Sequence, residues 1–228
     1  MGYDFDWVSL QRAWPYLLQG LQMTAFLVVV AMAAGIGLGT LLAITRIFAP
    51  RPVAALVAGY VNLFRSIPLI LTILWIYFLM PVVLRSVTGD PNLSVGPIYA
   101  ALVAFVLAES AYYCEIIRAG IEATPKGQIE AAVSLALSKS QVFLRVVLPP
   151  ALKKVWPAMV SQIVIVMLGS AVCGQISTEE LSYAANLIQS RNFRAFEAFI
   201  VATLIYLALS VALRRLLDWA GPKFFFGR

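Results

Sequence analysis

Apolar residues come in long runs bounded by charged or turn-forming residues, and this spacing lays out the chain. Tyr16 to Ile44 contains no acidic or basic residue, enough for one tilted membrane span, which takes about 20 residues. Val53 to Leu84 is broken only at Arg65-Ser66-Ile67-Pro68 and is too long for a single span. The break predicts a helix at the membrane interface over Val53–Phe64 and a second span over 66–84. Pro68 would sit in its first turn, where a missing N–H costs little. Gly89-Asp90-Pro91-Asn92 signals a turn. The next apolar run, Ile98 to Ala108, is too short to cross, so its helix continues through Glu109 to about Arg118. Val155 to Ile176 gives a fourth span, with Pro157 in its first turn and Gln162 and Ser170 as polar interior residues; Phe196 to Leu213 gives a fifth. The fold expected is all-α, an integral membrane bundle of five transmembrane helices. It forms a single domain over 1–228, with spans at about 16–44, 66–84, 98–118, 155–176 and 196–213.

The stretch 119–154 interrupts this pattern with charge. Thr124-Pro125 reads as a helix start, Thr as N-cap and Pro at the first helical position, leading into GQIEAAVSLAL. Ser138-Lys139-Ser140-Gln141 has the capping-box spacing and starts a second short helix, stopped by Pro149-Pro150. Ile129, Ala132, Val133 and Ala136 recur at helical spacing, which suits either a partner's groove or a solvated hairpin that closes a loop.

Composition agrees with a membrane protein: 61% of the 228 residues are hydrophobic and 12% charged, with a mean hydropathy of +0.88. The net charge of +6 sits at the edges of apolar runs and not on one basic face, which argues against nucleic acid. Of the 17 Lys and Arg residues, Arg12, Arg85, Arg191 and Arg194 fall on one side of the expected bundle and the others on the opposite side. The positive-inside rule then puts the N-terminus outside and the C-terminus and the 119–154 segment in the cytoplasm. The N-terminal stretch has neither a basic start nor a small-residue cleavage site, so the first span is expected to stay in the mature protein. With two cysteines, Cys114 and Cys173, and no histidine, neither a usual zinc site nor a disulfide scaffold is expected, and no metal or other cofactor is assigned. Gly35-Ile36-Gly37-Leu38-Gly39 follows no predicted strand, so it reads as a helix–helix contact and not as a nucleotide loop. Glu109 falls at membrane depth, where a carboxylate either serves function or is bonded to a neighbouring helix. Glu115 and Arg118 can pair on one helix face. Arg65 lies at a membrane boundary, placed to snorkel to headgroups or to face a substrate.

Glu130-Ala131-Ala132, three residues, Ala136, nine residues and Val146-Val147-Leu148-Pro149 resemble the EAA motif of ATP-binding-cassette importer permeases. Ala136 stands where the family usually has Gly, and Val146 where it has Ile. Phe64-Arg65-Ser66-Ile67-Pro68-Leu69 is similar to the FR-[GS]-[TI]-PL segment of the polar amino-acid branch. So are Glu109 with Ala111-Tyr112-Tyr113, Glu115 to Ile121, and Pro125 to Gln128. Tyr3-Asp4-Phe5-Asp6-Trp7 and Tyr16-Leu17-Leu18 with Gly20-Leu21 resemble glutamate/aspartate permease subunits. Met167 to Ile176 departs from the family's habit, lacking its charged or amide residue in that stretch.

The resemblance implies a bacterial inner-membrane permease that carries polar L-amino acids, glutamate or aspartate favoured. It implies as partners a cytoplasmic ATPase dimer, a second permease chain (itself or a paralogue) and an extracytoplasmic solute-binding protein. The chain has no G-x-x-x-x-G-K-[ST] phosphate loop, so ATP hydrolysis would belong to another subunit. Glu130, Ala131, Ala132, Ala136, Leu148 and Pro149 would dock the ATPase through the coupling-helix loop, and the loops 85–97 and 177–194 would receive the cargo. Arg65, Glu109, Tyr112, Tyr113, Gln162 and Ser170 are candidates for the translocation path. The rival class is a secondary transporter or channel using Glu109 as a proton or cation site. A membrane-embedded hydrolase is a weaker rival still, since there is no histidine and Glu109 with Glu115 has no arranged nucleophile.

Overall fold

The structure is a computed structural model that describes residues 5–225; Tyr3 and Asp4 of the opening motif and Arg228 of the tail lie outside the described residues. In chain order come α1 (Trp7–Phe48), α2 (Arg51–Ser66), α3 (Leu69–Thr88), α4 (Pro97–Glu122), α5 (Lys126–Ser134) and α6 (Lys139–Gln141). A π-helical turn over Val142–Val147 then leads into α7 (Leu148–Gly169), a 3₁₀ segment over Ser170–Ile176, α8 (Leu181–Asn192) and α9 (Ala195–Phe225). Among the described residues five helical segments are long and apolar enough to cross a membrane: Leu10–Phe48, Leu69–Thr88, Pro97–Glu122, Lys139–Ile176 and Ala195–Gly221.

The helices outrun the apolar runs because caps and prolines end them, not hydropathy. α1 continues past Ile44 to Phe48 and stops before Pro50, which lacks an N–H and disfavours helical geometry in the residue before it. Its 42 residues amount to about 63 Å, against a hydrocarbon thickness of about 30 Å. α2 is a separate amphipathic helix, as the break at Arg65–Pro68 predicts. The Tyr60 hydroxyl anchors it to α4 by donating to the Leu107 carbonyl at 2.8 Å, with Ser110 Oγ also at 2.8 Å. Burial pushes the Tyr60 pKa up from its ordinary value.

α4 is the central helix, with α1, α2, α3 and α7 packed around it. Gly35 and Gly39 are why α1 comes so close. A Cβ on Gly39 would lie 2.7 Å from Tyr113 Cβ, and one on Gly35 would lie 3.0 Å from Glu109 Cβ, whereas Gly37 faces open space. The GxxxG spacing is therefore a helix contact. Gly35 facing Glu109 and Gly39 facing Tyr113 make α1 and α4 parallel. Val155 against Gly120 and Gln162 against Glu109 make α7 antiparallel to them. The described chain thus starts and finishes at opposite ends of the bundle.

Between α4 and α7 the chain forms a projecting helical hairpin, which defines the hairpin end of the molecule. Two expectations are corrected here. Thr124 does not cap α5: the helix starts one residue later, Pro125 occupies the cap position, and the Thr124 hydroxyl is buried without a hydrogen-bond partner. Nor do Pro149-Pro150 stop the second helix. Leu148 N–H donates to the Phe143 carbonyl, five residues back. This wider turn accommodates rings that would clash with the preceding turn of a regular α-helix, so the chain stays helical into α7.

At the far end the polar stretch 177–197 contains α8. Glu180 is its N-cap, accepting from the N–H groups of Ser182 at 2.8 Å and Tyr183 at 2.7 Å. The same fully buried carboxylate accepts from Tyr206 Oη of α9 at 2.7 Å. Thr24 Oγ1 of α1 accepts from Leu181 N–H at 3.2 Å, so α1, α8 and α9 meet in one buried polar knot.

Candidate functional site: a charged cavity and a projecting hairpin

The hairpin turns at Leu135–Ala136, and Ala136 has φ +57°. This left-handed conformation costs a residue with a Cβ about 1–2 kcal/mol relative to Gly. The Ala136 N–H donates to the Val133 carbonyl at 2.9 Å and the Leu137 N–H to the Ala132 carbonyl at 3.3 Å, so the corner closes without glycine. Ser138 and Gln141 form the reciprocal capping box that their spacing predicts: the Ser138 side chain accepts from Gln141 N–H, and the Gln141 side chain accepts from Ser138 N–H.

The hairpin divides its apolar residues between two surfaces. Ala132, 4% exposed, and half-buried Ile129 pack inward with Val142, Val147 and Ala151. Val133, at 61% exposed, and Leu135, at 76%, point outward, beside exposed Glu130 and Ala131. The single apolar face expected from Ile129, Ala132, Val133 and Ala136 is therefore split, because a nine-residue helix must use one side to hold itself to the π-helical turn. Leu148 is half-buried and Pro149 exposed.

Of the residues expected on a path, Arg65, Tyr112 and Gln162 come together in a cavity of about 500 Å³ between α4 and α7, lined also by Glu115 and Lys154. The Arg65 guanidinium lies over the Tyr112 ring, 5.7 Å from its centroid. Gln162 donates from Nε2 to Glu109 Oε2 at 2.9 Å. Glu109, 3% exposed, sits behind that amide and not in the lining. Tyr113 and Ser170 are not in the lining either. Tyr113 is fully buried facing Gly35 and Gly39 of α1, and its hydroxyl has no hydrogen-bond partner. Ser170 Oγ donates back to the Met167 carbonyl at 2.6 Å. Glu115 binds both Arg118, as its spacing predicts, and Arg46 of α1; Arg118 also binds Glu122.

A second cavity, of about 730 Å³, opens at the far end between α1 and α8, lined by Gln19, Gln22, Tyr183, Glu179 and Arg191 among others. Here too a guanidinium stacks on a tyrosine, Arg191 over Tyr16 at 5.1 Å.

Sequence reasoning missed Arg46, Lys154 and the far-end knot. Arg46 is separated from Glu115 by a whole span, which no local spacing reveals. For α8 a signal was available: Leu181, Ala184, Ala185 and Ile188, all buried, recur at i, i+3, i+4 and i+7.

A membrane bundle of this topology with a projecting hairpin is the architecture of transporter permeases, and comparison with known proteins agrees. Residues 35–226 match the family described as binding-protein-dependent transport system inner membrane component. The chain is 35% identical over 217 residues to the glutamate/aspartate import permease protein GltK of Escherichia coli O157:H7, covering 95% of this chain and 97% of that one. It is 34% identical to the arginine transport system permease protein ArtQ of Bacillus subtilis strain 168, covering 87% and 88%. It is also 30% identical to the glutamine transport system permease protein GlnP of Escherichia coli K12, covering 93% and 96%. A crystal structure of an amino acid ABC transporter with histidines superposes with a TM-score of 0.86 at 28% identity, over 97% of this chain and 100% of that one. The chain belongs to the binding-protein-dependent inner-membrane permease family of ABC amino-acid importers.

Proposed function

We propose that this permease carries polar L-amino acids, an acidic one favoured, into the cytoplasm, and that a separate ATPase dimer drives it through the hairpin. The observation that carries the reading is the outward surface of the hairpin, where Val133 and Leu135 are exposed next to Glu130 and Ala131. Adjacent exposed apolar side chains on a charged projection suit a surface that a partner's groove covers. Ala136, Leu148 and Pro149 shape this element, and Ala132 supports it from inside. The distribution of Lys and Arg supports placing the hairpin and the C-terminal end in the cytoplasm. The far-end cavity then faces a solute-binding protein, and a second permease chain completes the pathway. ATP-driven closure of the ATPase pair would push on the hairpin, and the helical continuity from Lys139 to Ile176 would pass the displacement to the wall of the cavity.

The test is uptake of radiolabelled glutamate into proteoliposomes holding the permease, its ATPase and its binding protein. Uptake is expected to require ATP, and Glu130→Lys is expected to leave membrane insertion and basal ATP hydrolysis intact while uptake falls at least ten-fold. Uptake that runs on an ion gradient without ATP would instead support a secondary transporter.

A further inference from the structure

We propose that Arg65 and Lys154 form a carboxylate-binding pair in the hairpin-end cavity, which holds the acidic side chain of the cargo and sets a charge preference inside the permease itself. The inference rests on the importer reading and goes beyond it by naming the group recognised and the residues that recognise it. The cavity lining contains one carboxylate, Glu115, and two cations, Arg65 and Lys154. Glu115 is already held from two sides, by Arg46 and Arg118, and Arg118 has Glu122 as a second partner. Among the described residues no carboxylate lies within ion-pair distance of Arg65 or Lys154. The cavity therefore carries positive charge with no internal anion to satisfy it.

Position adds to charge. The guanidinium of Arg65 is steadied over the Tyr112 ring, which leaves its edge N–H groups available for a planar, two-toothed contact with a carboxylate. Lys154, on the first turns of α7, supplies a point charge on a flexible stem. Val155, Ala158 and Ile116 add apolar lining to the same cavity. Glu109, outside the lining, is bonded to the lining amide of Gln162, and the lining carboxylate Glu115 is engaged by Arg46 and Arg118. The far-end cavity differs: Glu179 lines it together with Arg191, so its charges balance and it has no comparable bias. A cargo of net negative charge is thus tolerated at the far end and attracted at the hairpin end.

The same pair would also suit the phosphate of an anionic lipid, and the experiment separates the two sources. Binding of radiolabelled glutamate and of glutamine to the purified permease–ATPase complex, without binding protein, is measured in nanodiscs of phosphatidylcholine alone and with added phosphatidylglycerol. The wild type is expected to bind glutamate saturably in both. Lys154→Gln and Arg65→Gln should each weaken glutamate binding about ten-fold, one lost charge-assisted contact, and leave glutamine binding unchanged. Lys154→Arg should restore the glutamate affinity, which a folding defect would not allow. If glutamate and glutamine weaken equally in Lys154→Gln, or if glutamate does not bind the wild type, the assignment is overturned. An effect of Lys154→Gln confined to the anionic discs, with glutamate affinity unchanged, assigns the pair to lipid and likewise overturns it. ATP-dependent uptake in the presence of binding protein is assayed separately. Its absence for every amino acid tested would sink the importer reading, whatever the binding data show.

Discussion

Ala136 has a side chain where the turn favours none. Its φ of +57° is retained because the N–H groups on either side of it are bonded and the capping box at Ser138 fixes the chain that leaves the corner. Ala136→Gly is expected to raise the thermal midpoint of the detergent-solubilised protein by relieving about 1 kcal/mol of strain, with uptake retained. Ala136→Val, with a β-branched chain at positive φ, should do the reverse and reduce ATPase-coupled uptake. The sequence shows the departure from glycine but not its geometry, since an alanine is compatible with straightening the corner as well as keeping it. Glu109 was legible to a similar extent. Hydropathy places it at membrane depth, but only the fold brings Gln162 to 2.9 Å from it. Gln162→Leu removes the amide that donates to that carboxylate and is expected to cost about 1–3 kcal/mol, read as a lowered midpoint of thermal unfolding.

Among elements, the α1–α4 contact makes the sharpest prediction because the same five residues contain their own control. Gly39→Ala would set a methyl 2.7 Å from Tyr113 Cβ and 2.9 Å from the Ser110 carbonyl. The helices must separate, and the expected outcome is loss of folded protein in fluorescence-detected size-exclusion chromatography. Gly37→Ala meets nothing within 4 Å and should behave as wild type. Spacing made this contact legible, as it did the capping box, because both motifs operate within two turns of helix. The proline pair fails as a signal for the opposite reason. Pro149-Pro150 is a stop signal only for a regular α-helix, and the π-helical turn before it removes the clash on which that rule depends. α8 went unseen because a polar segment between two spans reads as a loop unless its four buried positions are counted together.

For the whole molecule, five crossings and their alternation follow from apolar runs alone, since a bilayer demands about 20 apolar residues per helix whatever the helices touch. The tie between Arg46 and Glu115, the shared cavity lining of Arg65 and Lys154, and the Glu180 knot arise only when spans assemble, so they leave no local trace in the sequence. The knot is testable at this scale. Tyr206→Phe deletes a 2.7 Å bond from α9 to Glu180 and should destabilise the protein by about 1 kcal/mol, seen in the thermal midpoint. Glutamate affinity at the hairpin end should be unchanged.

The π-helical turn also acts as a setting of angle. Each residue of an α-helix advances the winding by about 100°, and a π turn holds an additional residue within one local loop of the backbone. Removing a single residue from Val142–Val147 would therefore leave Val155–Ile176 and the other apolar runs as long as before, yet turn all that follows by roughly a quarter of a revolution or more against the hairpin. Either the hairpin turns away from its packing on Val142 and Val147, or α7 turns and carries Lys154 off the cavity and Gln162 off Glu109. The phase between the projecting hairpin and the cavity wall is thus held in six residues, and insertions or deletions there should be far less tolerated than in the exposed turn at Gly89–Asn92.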